Sequence, residues 1–264
     1  MKKIFLICLA VSVAGILMTG CSKKATTTVT PNNPPQAVTL TATDSTAASV
    51  DLAWTRNSDD DFAYYRLYRT IGYANYLIKT FSARSDTAYK DSILAPSHNY
   101  TYFMAVADTG NLSSQSNLVT VRTFGIAGLT LGMDPRYLEI ALGRTFAIEI
   151  WIEDVDSLFG ASFELSYDST RLAADSAKAG SFLGSDVIFF SHTESGLASV
   201  SLTLKSGGAE VSGNGSLAVV YFHSTGTGTK DITFSSTTAL RKANGSDVTS
   251  FTTLNKWDAN LIIQ

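Results

Sequence analysis

Cysteine is nearly missing from this chain, with Cys8 and Cys21 the only two among 264 residues. A domain stapled by internal disulfides is thereby excluded, because Cys8 falls inside an apolar leader-like run and Cys21 is left with no second thiol. Histidine is almost as scarce: His98, His192 and His223 are the only three. His192 and Glu194 form an isolated His-x-Glu without the Pro-Cys-x-x-Cys half of a zinc deaminase, so neither a metal centre nor a catalytic base is expected. Basic runs are absent as well, with 20 Lys and Arg against 23 Asp and Glu, which argues against a nucleic-acid partner. The uncharged run from Ile4 to Met18 falls short of the ~20 residues that a membrane span needs. No long amphipathic helical pattern occurs. What remains is a chain rich in Thr, Ser, Val, Tyr and Gly, which reads as strands and turns.

The beginning reads as a secretory signal, with Lys2 and Lys3 before the apolar run and small residues after it. Its end, "LMTGC", resembles the lipobox of bacterial lipoproteins. That resemblance implies removal of residues 1–20, lipidation of Cys21 with more than one acyl chain, and stable membrane anchoring after export, at the outer membrane or cell surface. Without Lys2 and Lys3, 18 basic residues face 23 acidic ones, a net charge near −5. Residues 21–34 hold little that a core would use and read as a flexible tether. Extended at about 3.3 Å per residue, it holds a domain up to roughly 50 Å from the bilayer.

From 35 to 123 the chain shows short alternating runs, "SVDLAWT", "YYRLYRT", "YLIKTF", "YTYFMAVAD" and "NLVTVRT", parted by turn signals. The stretches "VDLAW", "DDDFAYYRLYR", "LAPSHNYTYFMAVAD" and "GNLSSQSNLVTV" resemble a bacterial fibronectin type III domain, an immunoglobulin-like sandwich. The resemblance implies that Trp54 packs across the sandwich and that Tyr100 closes a corner by bonding back to the main chain.

"FGIAG", residues 124–128, marks a boundary by its small residues. The block from 128 to 264 then offers the candidate strands "LTLGM", "YLEIAL", "FAIEIWIED", "ASFELSYD", "VIFFSH", "LASVSLTL", "LAVVYFHS", "DITFSS", "TALRKA" and "VTSFTT", with "KSGGAEVSGNGS" read as a Gly-rich turn. An all-β chain of two antiparallel sandwiches is expected, the second a nine-stranded jelly roll. The motifs "AIEIWIEDVDSLFGASFELSYDSTRL", "AGSFL", "GLASVSLTLKSGGAEVSGNGSLAVVYFHSTGTG", "ITFSST" and "NGSDV" resemble the cohesin family over this whole block. Cohesins are non-catalytic and dock small calcium-binding dockerins, attaching polysaccharide-degrading enzymes to a scaffold or cell surface. The resemblance therefore implies a surface module with a dockerin-like partner, connected with polysaccharide breakdown. Direct glycan binding by the jelly roll, or a structural role in the envelope, is the alternative.

The two-residue period of a strand assigns the side chains to faces. With Ala161, Phe163, Leu165 and Tyr167 inward, Ser162, Glu164 and Ser166 point out; with Val200, Leu202 and Leu204 inward, Ser199, Ser201 and Thr203 point out. In cohesins the docking face includes these strands and the one matching residues 187–192. It reads as a hydroxyl-rich surface with few large anchors. Trp151 and Trp257 are the candidates for stacking on sugar rings, with Tyr64, Tyr73 and Tyr76 behind them. No cofactor is called for, although the acidic runs 57–62 and 153–156 offer carboxylates to a structural calcium.

Overall fold

The computed structural model describes residues 31–71, 74–251 and 253–264; the expected leader 1–20, Cys21, most of the tether and Tyr73 lie outside the described residues. Among the described residues all regular elements are strands apart from a 3₁₀ turn at Val248–Phe251, and Pro34–Gln264 form one compact unit. Eight strands build the first sandwich: β1 (Leu40–Ser45), β2 (Ser49–Trp54), β3 (Phe62–Ile71), β4 (Ala74–Phe81), β5 (Ala88–Ser92), β6 (Asn99–Asp108), β7 (Ser113–Gln115) and β8 (Val119–Arg122). Its sheets run β1-β2-β5 and β4-β3-β6-β7, with β8 also on β6. Trp54 lies between them against Tyr65 and Phe81, at ring distances of 5.9 and 5.0 Å. The Tyr100 hydroxyl accepts the Ala95 N–H at 2.8 Å, fastening the turn before β6.

The second sandwich has twelve strands: β9 (Thr130–Asp134), β10 (Tyr137–Ile140), β11 (Thr145–Leu158), β12 (Gly160–Ser166), β13 (Leu172–Ala179), β14 (Val187–Glu194), β15 (Leu197–Leu204), β16 (Val211–Ser224), β17 (Gly228–Phe234), β18 (Ala239–Arg241), β19 (Asn255–Trp257) and β20 (Ala259–Ile263). One sheet runs β10-β20-β17-β12-β15-β14, with β18 beside β12, and the other runs β13-β16-β11-β9-β19. The first and last runs of the block each cross from one sheet to the other. They pair in parallel, β9 with β19 and β10 with β20, so the arrangement is not purely antiparallel.

Three local readings change in the structure. "LAADSAKA" is the edge strand β13, half exposed and therefore without an apolar alternation to announce it. "VSGNGS" extends β16 instead of turning; a side chain at Gly215 would press on the Phe182 ring, so the glycine accommodates the "AGSFL" step. "VTSF" is the 3₁₀ turn, because Asp247 accepts the backbone N–H and the hydroxyl of Thr249 at 2.9 and 2.7 Å and so caps a turn.

Between the sandwiches lies a polar seam. The Tyr100 hydroxyl donates to Asp134 Oδ1 at 2.6 Å, and Ser97 donates to Glu153 at 2.7 Å. His98 bonds the Pro96 carbonyl through Nδ1 at 2.5 Å, sets Nε2 3.7 Å from Glu149, and stands edge-on to Trp151 at 5.6 Å. Burial by itself lowers the pKa of His98. The hydrogen bond to Glu149, the Asp134 charge and the Pro96 carbonyl outweigh it and hold the imidazole above its ordinary value. A raised histidine contributes stability that is present below about pH 6.5 and is lost as pH rises through the folded value. Burial also raises Asp134, which acts in the same direction from pH 3.8 upward. The melting temperature should therefore decline above about pH 6.5, and His98→Gln should flatten that decline; an unchanged slope in the variant would assign it to other groups.

Candidate functional site

On β12, Ala161, Phe163 and Leu165 are buried while Ser162, Glu164 and Ser166 face away from the core; on β15, Val200, Leu202 and Leu204 are buried and Ser199, Ser201 and Thr203 face outward. The alternation follows because only one side of this sheet packs on the second sheet. Cross-strand register joins these side chains into rows. Phe190 pairs with Ser201, which pairs with Ser162, which pairs with Ala239. Ile188, Thr203, Gly160 and Arg241 form the next row. His192, Ser199 and Glu164 form the row on the other side.

Two large apolar anchors stand on this hydroxyl-rich face. Phe190 is 69% exposed and Ile188 40%. Both belong to the edge strand β14, whose inward partners are Val187 and Phe189. The run "VIFF" has no alternation that tells its outward members from its inward ones, and only its register against β15 shows that Ile188 and Phe190 have no core to enter. With Ser162, Ser201, Thr203, Ala239 and Arg241 they border a shallow groove of about 340 Å³.

Glu164 is held in place by neighbouring hydroxyls. Its carboxylate accepts from the hydroxyls of Thr237, Ser235 (3.1 Å) and Ser199 (3.5 Å), and the first two hold its pKa below the ordinary value. Ser166 sits at the far end of the face, next to the turn that Asp168 organises. The Thr170 hydroxyl, then Lys230, pull the Asp168 carboxyl down to about 2. Arg241 is paired with Asp247 at 3.0 Å at the groove's other margin.

The tryptophans do not form a sugar platform. Trp151 is 0% exposed, which overturns its assignment as a stacking residue. A register shift between Ile150 and Trp151 breaks the alternation of β11, and His98 of the first sandwich meets the indole from the outer side. Trp257 is half-buried, with the Arg136 guanidinium 4.3 Å over its ring and Trp151 edge-on at 5.7 Å. The run 153–156 does not converge on a cation either. Glu153 is buried against Ser97, Asp154 accepts the Gly128 N–H, and Asp156 bonds Ser157 and Ser212. In the run 57–62, Asp59 accepts from Gln36 and Asn57. Among the described residues no group of three or more His, Cys, Asp or Glu is gathered as metal ligands.

Residues 138–257 match the family model of the cohesin domain. Among solved structures the chain is similar to a non-cellulosomal cohesin from the hyperthermophilic archaeon Archaeoglobus fulgidus, at 19% identity and a TM-score of 0.44, over 52% of this chain and 92% of that one. It is also similar to the sixth cohesin of Acetivibrio cellulolyticus scaffoldin B, solved with a mutant Cel5 dockerin, at 20% identity and 0.45, over 52% of this chain and 100% of that one. A Clostridium thermocellum OlpA cohesin in complex with a dockerin stands at 13% identity and 0.44, over 52% and 100%. No curated protein matches the chain.

Proposed function

We propose that this protein is a non-catalytic docking module whose partner is a dockerin-like domain, a reading supported by the match of residues 138–257 to the cohesin family model. The observation that carries the reading is the outward pair Phe190 and Ile188 beside a floor of Ser162, Ser201 and Thr203. Small hydroxyls let a partner's backbone approach closely, while an exposed aromatic supplies the apolar anchor from which interfaces draw much of their affinity. In the same reading, the leader and Cys21 place the module on the outer membrane or cell surface by a lipid anchor. The first sandwich acts as a fibronectin type III spacer, and the bound partner belongs to polysaccharide breakdown.

The test is a binding titration of the full chain against a panel of purified dockerin domains. Phe190→Ala is expected to weaken the productive pair by about 10- to 100-fold, as truncated hot spots do, with no change in melting temperature. Ser162→Arg and Thr203→Arg, placed on the groove floor, should abolish it without unfolding the domain. Binding that survives all three substitutions would remove the docking role from this face.

A further inference from the structure

A second concave site lies at the seam, away from the docking face. It is a cleft of about 240 Å³ between β4 and β5 of the first sandwich and β10 of the second. Tyr76, Tyr89 and Tyr137 line it, all half-buried and contributed by both sandwiches. Tyr76 also packs against the core of the second sandwich, so the cleft belongs to the joined pair and to neither half alone.

Two features mark it as more than a gap in packing. Arg69 lines the cleft and is 4% exposed, bonded through Nη1 to Asp91 at 2.9 Å, yet its buried Nε has no hydrogen-bond partner among the described residues. Buried donors are ordinarily satisfied, so an unmet one beneath the cleft sets this place apart from well-packed interior. At the rim, Ile93 holds a left-handed backbone with φ of 63° and is 48% exposed. A β-branched residue seldom adopts that conformation, and such strain gathers at binding sites.

The charges select the class of ligand. Arg69 is matched by Asp91, and the exposed Lys79 is offset by the exposed Glu139, so the lining holds no excess of either sign. A neutral ligand is favoured, one that offers apolar C–H groups to tyrosine rings and hydroxyls able both to donate and to accept. Glu139 accepts from the Tyr137 hydroxyl at 2.6 Å and from Gln264 Nε2 at 3.4 Å, and each carboxylate oxygen keeps a further lone pair for a ligand hydroxyl. The volume lies below the roughly 300 Å³ where pockets for drug-sized ligands begin, which limits the occupant to about one ring. We propose that the seam cleft binds a single neutral pyranose unit of a glycan, separately from the protein-docking face.

The test is saturation-transfer NMR of the full chain with methyl glycosides of glucose, galactose, xylose and mannose, and with a methyl glucuronide as the charged control. At least one neutral glycoside should bind at about 1 mM, the level usual for a ligand of this size at ordinary efficiency. Tyr137→Ala should weaken it about tenfold or more, and the isosteric Glu139→Gln about threefold, whereas Phe190→Ala should leave it unchanged. If Tyr137→Ala fails to fold, Glu139→Gln decides alone. The proposal is overturned if no neutral glycoside binds, if the glucuronide binds best, if neither cleft variant weakens binding, or if Phe190→Ala removes it. Dockerin titration of the same variants reads the docking face independently.

Discussion

Asp91→Ala should cost about 3–5 kcal/mol of stability, because it strands a buried cation. Arg69 and Asp91 are each 4% exposed, and Asp91 Oδ2 receives both the Arg69 guanidinium at 2.9 Å and the Tyr102 hydroxyl at 2.8 Å. Burial alone lowers the pKa of Arg69, but Asp91, Asp134, Tyr102 and Tyr100 together outweigh it and hold the guanidinium above its ordinary value. Deleting the carboxylate leaves the buried guanidinium without its ion-pair partner and the Tyr102 hydroxyl without its acceptor. In urea unfolding the midpoint should fall, and the melting temperature should drop by about 6–20 °C, at about 2–4 °C per kcal/mol for a unit of this size. The double variant Arg69→Met with Asp91→Leu should recover most of the loss, since replacing both members of a buried pair by apolar side chains is often neutral. A loss below about 1 kcal/mol in the single variant would mean that water reaches the pair.

Trp151→Ala is expected to cost a similar amount, about 3–5 kcal/mol, through the cavity it opens. The indole fills the space beside Gly132, where even a Cβ would overlap it, and it contacts His98 and Trp257 at ring distances of 5.6 and 5.7 Å. Both the second core and the seam lose material when it goes. Its Nε1 is buried without a hydrogen-bond partner among the described residues, so part of its packing energy is offset by an unmet donor. Trp151→Phe, which keeps a ring and removes that donor, should therefore lose only about 1–2 kcal/mol. Near-equal losses for Ala and Phe would show that the fit of the indole, rather than the volume it fills, holds the seam.

How legible the site was follows from where each signal resides. On β12 and β15 the inward and outward residues agree with their alternation, because those strands pack on a core from one side only. Trp151 was misread because a bulge shifts the phase of β11 and a second sandwich covers what would otherwise be its outer face. Phe190 was not singled out, although its strand was placed on the docking face. An unbroken apolar run carries no alternation to show which members point outward, and β14 is an edge strand whose outer face nothing among the described residues covers. No local pattern announces β13, since its half-exposed residues owe their pairing to β16 rather than to their own periodicity.

The amino-acid order alone determined what depends on near neighbours: the strand-and-turn character, the jelly-roll block, the serines and threonine that point outward, and the motifs over which residues 138–257 match the cohesin family model. Which outward surfaces stay open was decided only when the chain closed on itself. Arg69 meets Asp91 across 22 residues, Tyr100 meets Asp134 across 34, and Ser97 meets Glu153 across 56. Such contacts leave no periodic trace, because a side chain's neighbours across a seam are set by how two sheets dock and not by the residues beside it in the chain.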